Sequence, residues 1–496
     1  MAGEIPAEAL TVEGSASESG RVIEQRGIEY IPLSERHGRP LNLAGMWAGA
    51  VTSPLYVVYG ALVVALGLSF AQTVVVILVG SLAYLLAGLA SLPGPAAGTT
   101  AFGVSRGAFG GNGNRVVSLF NWFLQIGYEA LDLSLVVLAA LLLLGKAGVP
   151  ASDGLTVAVI IVGGCLQGVL PLIGHAAVLR VLNWLVAPFV VLFAVLAVLV
   201  LPKVHADSGH TAGIPTMLIG LALVMSSGGL GWTMQASDYS RYLPPSTSRS
   251  RIVWSVTLGG MVPSALLMLL GAAVATVVPG AADPISGLPR AFASWFLVPY
   301  LLLVIVQLCA VNSLNFYSSA VTLQAIGLKV KRWHAVLIDT MICLCLTSLV
   351  IFSASFNSFV TDFLLFMIVW FAPWAGIFLV DWLLRRGTYD SRSLMDRHAG
   401  IYRRKAGLHI PGVVAQLVGM VASAMWLSTT AWQGPISIAT DGSDLSVFMG
   451  FVVGGGLYYA LARRSVRGEA ALTPSPEEND RATLALLAGS PDRDAS

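Results

Sequence analysis

The sequence predicts an all-α polytopic membrane protein of twelve spans, the first ten falling into two five-helix halves. Three observations carry this. Residues are 56% hydrophobic and only 11% charged, with a mean hydropathy of +0.78, whereas soluble domains carry about 25% charged residues. Apolar runs long enough to cross a bilayer recur along the chain. Two of these runs, the first and the sixth, are interrupted by residues that helices avoid.

The spans fall at about 43–68, 70–92, 116–145, 154–174, 180–202, 214–237, 252–279, 296–327, 334–353, 358–384, 408–430 and 445–463. Several exceed the ~20 residues that a crossing needs, so tilt or breaks are expected. The chain therefore divides into a cytoplasmic N-terminal tail (1–42), a ten-helix core (43–384, with repeats about 43–202 and 214–384), a cytoplasmic loop with helices eleven and twelve (385–463), and a cytoplasmic C-terminal tail (464–496). The first forty residues are polar, without a basic n-region followed by an apolar h-region, and no cleavable signal is expected. They and the Pro/Glu/Asp/Ala-rich tail after Arg467 read as mobile.

Orientation follows from the basic residues. Of 28 lysines and arginines, only Lys146, Lys203 and Arg290 fall in loops that are external when the N-terminus is inside. The remainder lie in the tails, the even-numbered loops or the adjoining span ends, for example Arg241, Arg249, Arg251, Lys329, Lys331, Arg332, Arg385 and Arg386. The positive-inside rule then puts both termini in the cytoplasm of a multi-pass protein of the cell membrane. The formal net charge of +2 implies no nucleic-acid partner. Cys165, Cys309, Cys343 and Cys345 all fall within spans, with neither a disulfide framework nor metal-ligand spacing. No cofactor is expected.

Span three holds two carboxylates, Glu129 and Asp132, in an otherwise apolar run from Val116 to Gly145. With Gln125 and Tyr128 they fall at i, i+3, i+4 and i+7, on one helical face. An acid at the centre of a membrane helix costs roughly 2.5–3.5 kcal/mol, so the stripe reads as the lining of a pathway for substrate or proton. The interruptions are Ala48-Gly49-Ala50-Val51-Thr52-Ser53-Pro54 in span one and Ser226-Ser227-Gly228-Gly229-Leu230-Gly231-Trp232 in span six. Backbone freed from the helical ladder at membrane depth is tolerable only beside protein or a wet cavity. Breaks at matching positions of two halves point to an inverted repeat with a midplane site. Span eight adds Asn312, Asn315 and Ser319 on one face. An asparagine amide donates and accepts together, which suits a nucleobase edge, and Tyr128 or Trp232 could stack on a ring.

The order of landmarks resembles the purine–cytosine permease branch of the nucleobase:cation symporter superfamily. The matching stretches are Ile31-Pro32-Leu33-Ser34-Glu35-Arg36, Leu92-Pro93-Gly94-Pro95, Ser105-Arg106-Gly107-Ala108-Phe109-Gly110, Ala236-Ser237-Asp238-Tyr239-Ser240-Arg241-Tyr242, Asn315-Phe316-Tyr317-Ser318, Ala372-Pro373-Trp374-Ala375 and Asp381-Trp382. The resemblance implies a LeuT-like fold, a core of two inverted five-helix repeats plus two peripheral helices. It also implies alternating-access uptake of a nucleobase or related nitrogen heterocycle, coupled to a cation.

In that family, span three offers an aromatic that stacks on the base and a polar residue about one turn later, often Gln. Trp122 with Gln125, or Tyr128 with Asp132, fits this pattern, and Tyr128 with Gln125 beside it is the favoured reading. Ser227, Gly228, Gly229 and Gly231 correspond to the backbone contacts of broken span six. Its aromatic, Trp232, stands three positions beyond the usual place. Asn312 and Asn315 fit the substrate face of span eight. Sodium-coupled relatives carry a hydroxyl pair just before that face, where this chain has Cys309-Ala310-Val311. H+ is accordingly favoured over Na+, with Asp132 or Glu129 as the titrating group, since removal from water favours a neutral carboxyl. The alternative is that these acids balance a cationic heterocycle or a thiamine-like vitamin precursor.

Other classes fit less well. Gly103-Val104-Ser105-Arg106-Gly107 matches G-x-S-x-G, but in a basic loop with no preceding strand, so no enzyme activity is expected. A channel is disfavoured by the lack of a T-V-G-Y-G filter or a ring of like charges. Asp339 and Asp362 lie near span ends and read as solvated.

Overall fold

A computed structural model describes residues 29–173, 175–204, 211–278, 292–327, 332–353, 356–396 and 400–488. The expectations for residues 1–28 of the N-terminal tail, for Arg290, and for Lys329 and Lys331 lie outside the described residues. The chain is helical almost throughout: α1 (Pro40–Val51), α2 (Pro54–Ala65), α3 (Phe70–Ser81), α4 (Tyr84–Ala90), α5 (Pro93–Ala97), α6 (Ala101–Val104), α7 (Arg106–Lys146), α8 (Asp153–Ile173), α9 (His175–Val200), α10 (Ile214–Met225), α11 (Ala236–Ser240) and α12 (Arg249–Val277). Beyond these come α13 (Ser294–Ile326), α14 (Arg332–Ser353), α15 (Phe356–Leu384), α16 (Ser391–Met395), α17 (Ile410–Trp426), α18 (Pro435–Ala439), α19 (Ser446–Ala470) and α20 (Pro476–Ala488).

Among the described residues ten helices are long and apolar enough to cross a membrane, or eleven when the bent pair α1 and α2 counts as one span. Twelve were expected, and the described residues supply ten or eleven by length and composition. Helix α8, Asp153–Ile173, occupies the place of the fourth span.

Both interruptions fall where the glycine and proline runs put them. Helix α1 stops at Val51, Ser53 is extended (φ −131°, ψ 143°), and Pro54 opens α2 at an angle of 60°. Proline suits a first helical turn because its missing N–H would have no helical acceptor there. In span six one widened turn, Ser226–Leu230, separates α10 from the segment that leads into α11, and Gly228 leaves the helical region (φ −112°, ψ −123°). The Ser226 hydroxyl donates to the Leu364 carbonyl, tying this turn to α15.

Close helix crossings explain several small residues. A Cβ on Gly60 would stand 1.8 Å from the Met268 carbonyl oxygen, and one on Gly271 1.9 Å from that of Val57. Helices α2 and α12 thus meet backbone to backbone, as small residues permit in membranes. At the other end, Arg385 is fully buried and donates through Nε to Asp381 (2.8 Å) and through Nη1 to Glu469 (3.0 Å). Asp381 also accepts from Tyr389 (2.9 Å) and Tyr458 (2.7 Å), so its charge is fully matched.

The tails depart from the expectation of mobility wherever they are described. Tyr30 and Ile31 are buried, and helix α20 packs onto this region. Asp480 accepts from the Tyr30 hydroxyl (2.8 Å) and the Leu33 N–H (3.0 Å), and Asn479 donates to the Tyr389 carbonyl (2.8 Å). Composition understated these segments because a few specific polar contacts, together with two buried side chains, hold them.

Candidate functional site

The two broken spans and the middle of α7 converge on one cavity. Helix α7 contributes Gln125, Tyr128 and Asp132, the span-six break contributes Ser227, Gly231 and Trp232, and α13 contributes Asn315. The start of α2 adds Tyr56 and Tyr59, just past the Pro54 break.

Aromatic rings frame the space. Trp232 donates through Nε1 to the Tyr56 hydroxyl (3.0 Å), which pairs with that of Tyr84 (2.8 Å). The Trp232 ring also meets Trp47 edge-on at 5.4 Å. Tyr128 is braced edge-on by Phe363 at 5.3 Å, which fixes its ring plane. Gly231 keeps its side clear, since a Cβ there would meet the Ser226 carbonyl at 2.5 Å and the Tyr128 hydroxyl at 3.2 Å.

The polar groups are unevenly satisfied. Asn315 Nδ2 donates to Asp132 Oδ2 at 3.1 Å, orienting that carboxyl at the cavity edge. Gln125 is 1% exposed, and neither its amide oxygen nor its amide nitrogen has a hydrogen-bond partner among the described residues. A buried amide left so costs about 1–3 kcal/mol. Within a cavity it is a donor and an acceptor offered together to whatever enters.

Several residues expected at the site lie elsewhere. Gly228 and Gly229 are not among the cavity-lining residues; a Cβ on either would run into Tyr84, at 3.2 Å from its ring and 2.0 Å from its backbone nitrogen respectively. Asn312 is fully buried behind the lining, donating to Gln167 Oε1 (2.7 Å) and the Glu129 carbonyl (3.0 Å). Its Oδ1 accepts from Asn315 Nδ2 (3.1 Å), so it supports the site from behind. Glu129 is fully buried outside the cavity lining, and neither carboxyl oxygen has a partner among the described residues. Three residues of helix turn Asp132 by about 300°, which leaves the two acids about 60° apart on one face, Asp132 at the cavity and Glu129 beside it.

Trp122, the other register considered for stacking, donates to Asp339 Oδ1 at 2.9 Å instead. Asp339 is itself fully buried, which corrects its expected solvation. Its place two turns into α14 puts it under α7 and α13. Asp362 is partly buried and bonded to Thr430. Where the hydroxyl pair of sodium-coupled relatives was sought, Cys309 accepts from Gln167 (Nε2 to Sγ, 3.8 Å), and Ser313 donates back to the Cys309 carbonyl (2.9 Å). The Gln307 amide donates to the Thr52 carbonyl at the span-one break. Ser105 of the G-x-S-x-G match is buried and donates to Asn114 Oδ1 at 2.5 Å.

Sequence reasoning passed over Tyr56, Tyr59, Gln235 and Gln167. The two tyrosines carried a usable signal, at i and i+3 immediately after a helix-breaking proline. Gln167 carried none, because a lone glutamine on an apolar span does not reveal which face it presents.

A cavity walled by two broken membrane helices and a polar-striped third defines a polytopic membrane transporter. The comparisons with known proteins are more specific. This chain belongs to the family of permeases for cytosine/purines, uracil, thiamine and allantoin, whose model matches residues 30–450. It is similar to YxlA of Bacillus subtilis, a candidate purine-cytosine permease, at 28% identity over 90% of this chain and 98% of that one. It is similar to the purine-cytosine permease fcyB of Emericella nidulans at 25% identity over 88% of each. Among solved structures, it is similar to Mhp1, a nucleobase-cation-symport-1 family transporter captured closed with bromovinylhydantoin bound. That likeness has a TM-score of 0.71 at 17% identity over 93% of this chain and 99% of that one. The fold is thus the LeuT-like arrangement.

Proposed function

We propose that this protein imports a nucleobase of the cytosine/purine class by symport with H+, through alternating access around the cavity at Gln125. The family and its relatives support the substrate class. One observation of this chain carries the reading: the buried, unpartnered Gln125 amide beside two aromatic rings. Tyr128 and Trp232 offer faces for a flat heterocycle, and the amide can donate and accept on its edge in one plane. Asp132 stands at the same cavity with a single amide donor from Asn315, where a proton and a substrate can influence each other directly.

In this reading the repeats are 43–202 and 214–384, both termini are cytoplasmic, and the protein resides in the cell membrane. A proton taken up by Asp132 from outside neutralises the cavity and favours base binding. Its release inside, after the repeats rock, discharges the site. Purified protein in proteoliposomes tests this with radiolabelled cytosine and adenine. Accumulation should follow an inward proton gradient and be indifferent to sodium. Sodium-dependent, pH-independent uptake would sink the proton coupling, and an absence of uptake of either base would sink the substrate class.

A second reading has Asp132 as the counter-charge of a cationic, thiamine-like heterocycle. The carboxyl at the cavity wall favours it. Binding of thiamine in preference to cytosine, lost in Asp132→Asn, distinguishes it from the first.

A further inference from the structure

The α13 stripe that the sequence suggested as a substrate face mostly looks the other way, into a seam with α7 and α14. Its three polar members each meet an acid-bearing position. Asn315 donates to Asp132 (3.1 Å), Asn312 to the Glu129 carbonyl (3.0 Å), and Ser319 Oγ to Asp339 Oδ2 (2.7 Å). On α7, Trp122, Gln125, Glu129 and Asp132 follow at i, i+3, i+7 and i+10, one continuous stripe. Three carboxyl groups therefore line one buried seam, and only the first of them touches the cavity.

The three are not equivalent. Asp339 is held by two donors, the Ser319 hydroxyl and the Trp122 indole N–H, and an indole N–H can only donate. That is the setting of a carboxylate. Among the described residues Glu129 has no donor on either oxygen, and it has no exposure. A bare buried charge costs far more than a neutral carboxyl lacking one hydrogen bond, so the proton of this seam rests there. Glu129 also lies within electrostatic reach of both Asp132 and Asp339.

The geometry points to a proton exit route that leaves the cavity at Asp132, passes through Glu129 and ends on Asp339, beside Trp122 in the N-terminal half of α7. It rests on the proton-coupling reading above and adds the path and its terminus. The step is balanced. Glu129 gives its proton to the Asp339 carboxylate as Asp132 gives its own to Glu129. Asp339, buried in this state, then releases one proton to the internal solution when the repeats rock, leaving Asp132 ionised and Glu129 again neutral. Glu129 and Asp132 are neighbours on one helix face, with Cβ atoms about 5–6 Å apart. Trp122, which anchors Asp339, stands about 10 Å along α7 from Glu129, and the second transfer runs between the Glu129 and Asp339 carboxyls, which lie within electrostatic reach of each other.

The groups facing Asp339 are Trp122 and Glu129 from α7, Ser319 from α13 and Cys343 one turn along α14. Helix α8 brings Cys165, which is exposed, and Asp153 at its far end, while Asp362 of α15 is engaged by Thr430. The basic groups of these elements nearest in sequence are Arg115, two turns before Trp122 on the same face of α7, and His334, five residues before Asp339 on α14.

Full-length protein in proteoliposomes loaded with a pH-sensitive dye provides the test, with cytosine as probe. Wild type should show cytosine-dependent internal acidification. Asp339→Asn should lower gradient-driven cytosine accumulation by about tenfold or more while cytosine counterflow, which needs no net proton release, persists. Trp122→Phe removes the indole donor but keeps a ring, and should shift the pH profile of net uptake without altering counterflow. That second variant decides the matter if Asp339→Asn does not insert. Acidification and accumulation unchanged in Asp339→Asn, or an unchanged pH profile in Trp122→Phe, overturns the route. Cytosine uptake without acidification in wild type removes the coupling reading and the route together, whereas loss confined to the variants separates the route from that reading.

Discussion

Replacing Gln125 with leucine should weaken cytosine binding without destabilising the empty protein. The side chain is 1% exposed, lines the cavity and gives its amide no partner among the described residues, so the substitution removes no hydrogen bond among them. Stability should hold or rise, because an unsatisfied buried amide costs about 1–3 kcal/mol and leucine fills nearly the same volume. A bound base would lose two hydrogen bonds worth about 1 kcal/mol each, roughly a thirtyfold rise in Kd. The assay pairs cytosine binding by calorimetry in detergent with thermal unfolding of the same sample. An unchanged Kd, or a weakened Kd accompanied by a clear fall in the unfolding temperature, refutes the reasoning. The first result would mean that the amide does not meet the base. The second would mean that Gln125 is structural.

Other consequences follow from single contacts. Asp132→Asn should abolish accumulation driven by an inward proton gradient while leaving exchange of cytosine measurable; if the acid instead pairs a cationic substrate, the change appears chiefly as a raised KM. Gly60→Val should prevent recovery of folded protein, since even a Cβ at that position meets the Met268 carbonyl at 1.8 Å and backbone cannot yield cheaply; size-exclusion profiles report it. Arg385→Met strips Asp381 of its buried cation and should lower stability by about 3–5 kcal/mol, seen as a lowered unfolding temperature, although Tyr389 and Tyr458 keep donating. Ending the chain after residue 475 removes the Asp480 and Asn479 contacts. Limited proteolysis should then cut near Tyr30, a site protected in the full chain.

The sequence by itself determined the membrane class, the positions of both broken spans and the polar stripe on α7. Each is a local property: composition decides the solvent, glycine and proline decide where a helical ladder fails, and a 3.6-residue period decides which side chains share a face. The family resemblance was legible for the same reason, in short motifs kept in order. Which way each face pointed was decided only by packing. Gln125, Tyr128 and Asp132 turn to the cavity while Glu129, on the same stripe, turns to the seam, because α13 and α14 cover one side of α7 and the broken helices the other. Asp339 looked solvated from its nearness to a span end, yet donors on two other helices, Trp122 and Ser319, enclose it. Periodicity gives a residue its angle around a helix axis. Only the neighbouring helices decide whether that angle meets a substrate, a proton path or lipid.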